Sequence, residues 1–309
     1  MKKIITLFLM LVVFPLYANE SIAPTNVLIA AVQFPELNHQ SETDFFSMVD
    51  NYINEAQKKQ VKIILFPELL TLNLMQNSDN PTPEQWSTLS KFSNKYSDFL
   101  KSRARSSGMF IIGGSTVTEK NHQFYNTAMV AFPNGEIKTV DKSLLTPWEL
   151  SNHITGVGQQ THPLSFITPW GTAVVLICYE AESPEILSKI SQIHPNLVFI
   201  PSNTSGLSGL YRVIVAARYI AISQYAYALL TGVTTNFSKD KVSGHSAGQA
   251  IFAAPTGLGY SLTGTLGKFN QPDLLIVKVN IEKMDQDKAS PAVTSASRDY
   301  VKQHALTSR

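Results

Sequence analysis

Short apolar runs that end in polar or turn residues recur along this chain, and longer stretches of helical periodicity lie between them. Val27 to Phe34 reads as a strand, and Ser41 to Gln60 as a helix with Phe45, Phe46, Val49, Tyr52 and Ile53 on one face. Val61 to Phe66 is a short buried strand closed by Pro67-Glu68. Thr82 to Ser106 follows as a second helix, with Thr82 as its cap. Met109 to Ile112 predicts a strand that stops at Gly113-Gly114. Asn126 to Phe132 and Glu136 to Val140 form a hairpin around Pro133-Asn134-Gly135.

The pattern then repeats. Thr172 to Cys178 and Leu197 to Pro201 are buried strands, with Pro184 to Gln192 and Leu210 to Tyr225 as helices. Tyr227 to Thr231, Ala247 to Ala254 and Leu274 to Val279 complete the set of strands. Strands alternating with helices, together with hairpins, predict an α/β domain with a mixed sheet or two stacked sheets. No linker, low-complexity segment or short repeat divides the chain. The reading is therefore one domain over residues 19–283, followed by a weakly patterned polar tail over 284–309.

The N-terminus differs in kind. Lys2 and Lys3 precede an apolar run from Ile4 to Tyr17, and Ala18 leads into polar residues. That order describes a secretory signal peptide over residues 1–18, and the run is short for a membrane span. The expectation is export to the periplasm or the medium after cleavage near Ala18. Composition narrows the rest. Twenty-five basic residues against 23 acidic ones leave a net charge of +2 and no basic cluster, so nothing points to nucleic acid. The seven histidines show no metal-ligand spacing, and no cofactor motif stands out.

Cys178 is the one cysteine of the chain. An unpaired thiol in an exported protein is either inert in the core or reactive. Two other strand ends carry groups able to serve it. Glu68 follows a buried strand, where partial desolvation suits a carboxyl to base work. Lys142 follows the hairpin, ahead of the apolar loop Leu144 to Trp148 and Glu149. Taken singly, Glu68 also reads as a solvated turn glutamate and Lys142 as a solvated surface lysine. If the three meet, Glu68 takes the thiol proton, Lys142 and the Tyr179 N–H stabilise an oxyanion, and Cys178 attacks an acyl carbon.

Four segments together resemble the nitrilase superfamily of carbon–nitrogen hydrolases: Ala30 to Gln33, Phe66 to Glu68, Asp141-Lys142 through Glu149, and Ile177 to Glu180 through Pro184-Glu185. The resemblance implies a four-layer α-β-β-α sandwich and a Glu68, Lys142, Cys178 triad supported by Glu149. It further implies hydrolysis of small amide substrates through a thioester without a cofactor, and a homodimer paired through the helix bearing Arg212 and Arg218. Trp148, Glu182 and Asn203 are the candidate substrate contacts. The chain departs from the family pattern in two places. Glu182 stands where arginine is frequent, and Ser143-Leu144 where basic residues or histidine are frequent. Three alternatives stay open: N-acyl transfer related to apolipoprotein N-acyltransferase, nitrile hydrolysis, and a non-catalytic binding relative. Gly244-His245-Ser246-Ala247-Gly248 matches a serine-hydrolase elbow, but a strand follows it where that elbow needs a helix.

Overall fold

The computed structural model describes residues 25–36, 41–75, 80–160, 162–235 and 246–290. The leader read at 1–18, Gly244 and His245, and the tail beyond Ser290 lie outside them. In chain order the first half contains β1 (Asn26–Pro35), α1 (Glu42–Lys58), β2 (Ile63–Leu65), α2 (Pro83–Ser107), β3 (Phe110–Lys120), β4 (Gln123–Ala131), β5 (Ile137–Asp141), α3 (Pro147–Ser151) and β6 (Ile154–Gly156). The second contains β7 (Leu164–Thr168), β8 (Gly171–Val175), α4 (Pro184–Ile193), β9 (Leu197–Ile200), α5 (Gly206–Ser223), β10 (Tyr227–Leu230), β11 (Val233–Thr234), β12 (Ile251–Ala253), β13 (Thr265–Leu266), β14 (Asp273–Asn280) and α6 (Ile281–Ala289).

The strands form two sheets. One runs β11-β1-β2-β3-β4-β5, with β14 on β1 and β6 on β4; the other runs β13-β12-β10-β9-β8-β7. Each has a parallel centre, β1-β2-β3 and β8-β9-β10, with antiparallel strands beside it; in the first sheet β11 on β1 and β6 on β4 add further parallel pairs. Strand alternation assigns the layers. On β1, Ala30, Val32 and Phe34 pack outward against Phe45, Val49 and Ile53 of α1 and Phe92, Tyr96 and Leu100 of α2. Ile29 and Ala31 face inward and join Ile63, Leu65, Ile112 and Val130 against the second sheet. That sheet is buried on both faces, with Ile186, Leu187 and Ile190 of α4 and Val213, Ala217 and Ile220 of α5 in the same core. The result is the α-β-β-α sandwich that the resemblance implied. Burial of each large side chain contributes roughly 1.5–3 kcal/mol.

Local chemistry sets the helix ends. Thr82 and Gln85 form a reciprocal capping box with Pro83 in the first turn of α2, and Gly108 ends that helix in the left-handed region. The first residues read as tail, 284–289, belong instead to α6. Asn280 caps α6 through the Lys283 N–H, and Met284 is buried.

Two expectations fail at strand ends. β3 does not stop at Gly113-Gly114; its register with β4 shifts between Ile112 and Ser115, so the glycines form a bulge within a long strand. The reason lies next door. Ser115 N–H donates to the Pro67 carbonyl at 3.3 Å, and Ser115 Oγ accepts from Leu69 N–H at 2.9 Å, so the bulge grips the turn that carries Glu68. β8 ends at Val175 rather than at Cys178, which sits beyond it at a φ of 50°.

Gly114 has a φ of +66°, and a Cβ there would overlap the Pro67 carbonyl. Gly114→Ala therefore combines left-handed strain with a backbone clash and should destabilise the protein by roughly 2–4 kcal/mol. Gly113→Ala meets only the flexible end of Leu100 and should cost less. Urea unfolding of both variants checks this; equal midpoints would contradict it.

Candidate active site

The parallel strands of both sheets end on the same side of the sandwich. Glu68 follows β2, Cys178 follows β8, Asn203 follows β9, and Lys142 follows β5. These four groups meet in one pocket of about 590 Å³. Their burial excludes the surface alternatives: Glu68 is 3% exposed, Lys142 1% and Glu149 1%.

Lys142 lies at the centre. Its Nζ donates to Glu68 Oε1 at 2.7 Å and to Glu149 Oε2 at 2.8 Å. The Asn126 side-chain amide spans the same two carboxylates, at 2.8 Å from Glu68 Oε1 and 2.7 Å from Glu149 Oε1. Glu149 accepts in addition from Thr146 N–H at 2.8 Å and Thr146 Oγ at 2.9 Å, because Thr146 and Glu149 form the capping box of α3. The second oxygen of Glu68 accepts from the Asn203 N–H at 3.0 Å. The Cys178 thiol interacts with the Glu68 carboxylate and the Asn203 backbone.

These contacts separate the two glutamates. Burial raises the Glu68 pKa above its ordinary value, and the Glu149 charge adds to the rise against the pull of Lys142. Burial pushes Glu149 the same way, but Lys142, Thr146 and Asn126 outweigh it and hold the pKa low. Lys142 is drawn down by burial and pushed further up by Glu68 and Glu149, so it stays an ammonium. Burial pushes the thiol up, and the Glu68 charge adds to that. A carboxylate pair whose pKa values are driven apart assigns its own roles: one stays ionised, the other exchanges a proton.

Cys178 is fixed by its backbone. It opens the 3-10 turn Cys178–Glu182, and its N–H donates to the Pro201 carbonyl at 3.0 Å. Tyr179 follows at the start of that turn and lines the pocket, where the leading N–H groups of a helical turn lack intrahelical acceptors. Glu180 reaches back: its Oε2 accepts from Ile177 N–H at 2.7 Å, while its Oε1 accepts from both Ser143 N–H and Ser143 Oγ at 2.7 Å.

The pocket brings together the residues read from sequence as the triad, its supports and the substrate contacts. Trp148, Glu182 and Asn203 line the pocket with Leu69, Leu72 and Arg212. Glu182 pairs with Arg212 Nε at 3.2 Å. Ser246, the serine of the elbow-like motif, donates to Asn203 Oδ1 at 2.9 Å on the pocket wall. Asn126 and Glu180 were missed. Asn126 carried a signal: it shares a strand face with Ala128 and Val130, which marks a polar residue aimed at the core. No group of three or more His, Cys, Asp or Glu side chains among the described residues could hold a metal ion.

Comparison with known proteins agrees with this geometry. The family model described as Carbon-nitrogen hydrolase matches residues 28–289. A probable hydrolase of Bacillus subtilis, YhcX, is 24% identical over 254 residues, which is 82% of this chain and 49% of that protein. This chain thus spans about half the length of that relative. A Synechocystis protein named deaminated glutathione amidase is 25% identical over 203 residues, 61% of this chain and 70% of its own. The structure of Nit3 from Saccharomyces cerevisiae, a member of branch 10 of the nitrilase superfamily, aligns with a TM-score of 0.70 at 17% identity, covering 88% of this chain and 97% of that one. With the family match running through both sheets and the whole pocket, the chain belongs to the carbon–nitrogen hydrolases of the nitrilase superfamily.

Proposed function

We propose that this protein is an exported amidase that hydrolyses small amides through a thioester on Cys178. The observation that carries the reading is the buried cluster of Glu68, Lys142, Glu149 and Asn126 beside the one thiol of the chain, at the floor of a pocket. The raised thiol pKa means that the proton leaves only as the sulfur attacks. Glu68 takes that proton, and its own raised pKa makes it a better base than an ordinary carboxylate. The sulfur bonds to the amide carbon. Charge on the former carbonyl oxygen is met by the third Lys142 N–H and the Tyr179 N–H. Collapse breaks the C–N bond, with Glu68 returning its proton to the departing amine. Water, activated by Glu68, then cleaves the thioester and frees Cys178. Glu149 holds Lys142 in place, and no step requires a cofactor. The amidase name of the Synechocystis relative supports an amide over a nitrile. Export rests on the leader read at residues 1–18.

We further propose a homodimer paired through α5. Tyr211, Val215, Tyr219 and Ile222 are spaced along one face of that helix and are 52–64% exposed. With Pro184 and Leu187 of α4, the first three of these line an apolar groove. A second copy of the same face is its natural cover.

Amine release from simple amides, followed across pH, tests the first reading. Glu68 must be ionised to accept the thiol proton, and its pKa is raised. The rate should therefore fall as pH drops through a value above the ordinary 4.5. No amide hydrolysis, or an acid limb at or below that value, would count against it. For the dimer, Val215→Glu places a charge on the groove and should shift sedimentation from dimer to monomer. A wild-type protein that sediments as a monomer would end that proposal.

A further inference from the structure

The segments that carry Lys142 and Cys178 come from different sheets, and something must set the distance between them. The candidate, Glu180, bonds to the residue next to each. Glu180 is 5% exposed, and both of its carboxylate oxygens are used. One accepts from the N–H and the hydroxyl of Ser143, the residue after Lys142; the other accepts from the N–H of Ile177, the residue before Cys178. All three contacts are 2.7 Å, the length of charge-assisted hydrogen bonds. The backbone closes the ring, since Glu180 N–H donates to the Ile177 carbonyl at 3.1 Å.

We propose that Glu180 and Ser143 form a positioning staple that sets the spacing of the Lys142 ammonium and the Cys178 thiol. This rests on the amidase reading above. Glu180 lies outside the set of residues lining the pocket, so it acts through its neighbours rather than on substrate. Two features make the staple specific to this site. Cys178 holds a left-handed backbone, which a non-glycine residue keeps only when its surroundings impose it. Glu180 ties down the residue before Cys178, and the Pro201 carbonyl ties down Cys178 itself. The second feature is Ser143, one of the two departures from the family pattern. Its hydroxyl provides a third donor to Glu180, which gives a small polar residue a purpose at that position.

The staple predicts a graded pattern. Glu180→Gln keeps one acceptor but turns an amide N–H₂ toward a backbone donor. It should lower kcat about tenfold or more with KM nearly unchanged, the factor carried by one charge-assisted hydrogen bond. Ser143→Ala removes the hydroxyl contact alone and should lower kcat by a few-fold. Combined with Glu180→Ala, which removes the acceptors altogether, Ser143→Ala should cost nothing beyond Glu180→Ala alone, because the hydroxyl then has no partner left to hold. The rate of Cys178 alkylation by iodoacetamide provides a readout independent of amide turnover, and it should fall in the same order.

Wild-type kcat and alkylation rate in Glu180→Gln would overturn the staple, as would losses that multiply when Ser143→Ala is added to Glu180→Ala. If Glu180→Gln does not fold, Ser143→Ala decides: unchanged kcat and alkylation overturn the proposal. Cys178→Ala separates this from the parent reading. Full amide turnover in that variant defeats the thioester mechanism itself; abolished turnover there with an unaffected Glu180→Gln defeats the staple alone.

Discussion

One ammonium ion in the interior organises this molecule. Lys142 is almost entirely buried, and an ion so placed costs several kcal/mol unless its surroundings repay it. Two carboxylates do so, and each then needs donors of its own. Asn126 bridges them, α3 turns its first-turn backbone toward Glu149, and β9 ends so that the Asn203 N–H meets Glu68. One positive charge between two negative ones leaves a surplus carboxylate. The uneven supply of donors decides which glutamate bears it quietly and which is ready for a proton. The thiol stands beside the second.

The two-sheet architecture follows from the same constraint. A site assembled from the ends of β2, β5, β8 and β9 holds its geometry only if those ends cannot slide. The flat, branched inner faces lock the sheets together. The remaining freedom lies in the turns, where short polar devices remove it: the Gly113-Gly114 bulge gripping Pro67, the Pro201 carbonyl on Cys178, and the Glu180 carboxylate between Ser143 and Ile177. Each device acts on a reacting residue or on its immediate neighbour.

Much of this was legible in sequence because buried parallel strands are short and apolar and end abruptly. Ile63 to Phe66 before Pro67-Glu68 and Ala173 to Ile177 before Cys178 both show that form. The long helices were readable from spacing and caps, as at Thr82. What escaped was whatever depends on a partner distant in the chain. Gly113-Gly114 signals a break in any local reading and becomes a bulge only because Pro67 lies against it. Asn126 reads as a polar residue on a core-facing strand face, but its role depends on the two glutamates around it. Glu180 looks like one acid among several in an acidic stretch, and its role depends on Ser143, 37 residues earlier.

A covalent acyl group on the Cys178 sulfur is the step on which the proposed amidase reaction turns, and intact-mass spectrometry reads it directly. The wild-type protein would be mixed with a panel of small amides and quenched in acid within the first turnovers. The expected result is an added mass equal to the acyl part of a substrate, located on the peptide containing Cys178 and absent from Cys178→Ala. Amide hydrolysis that proceeds with no adduct under any quench time, or an adduct carried on another residue, would contradict it.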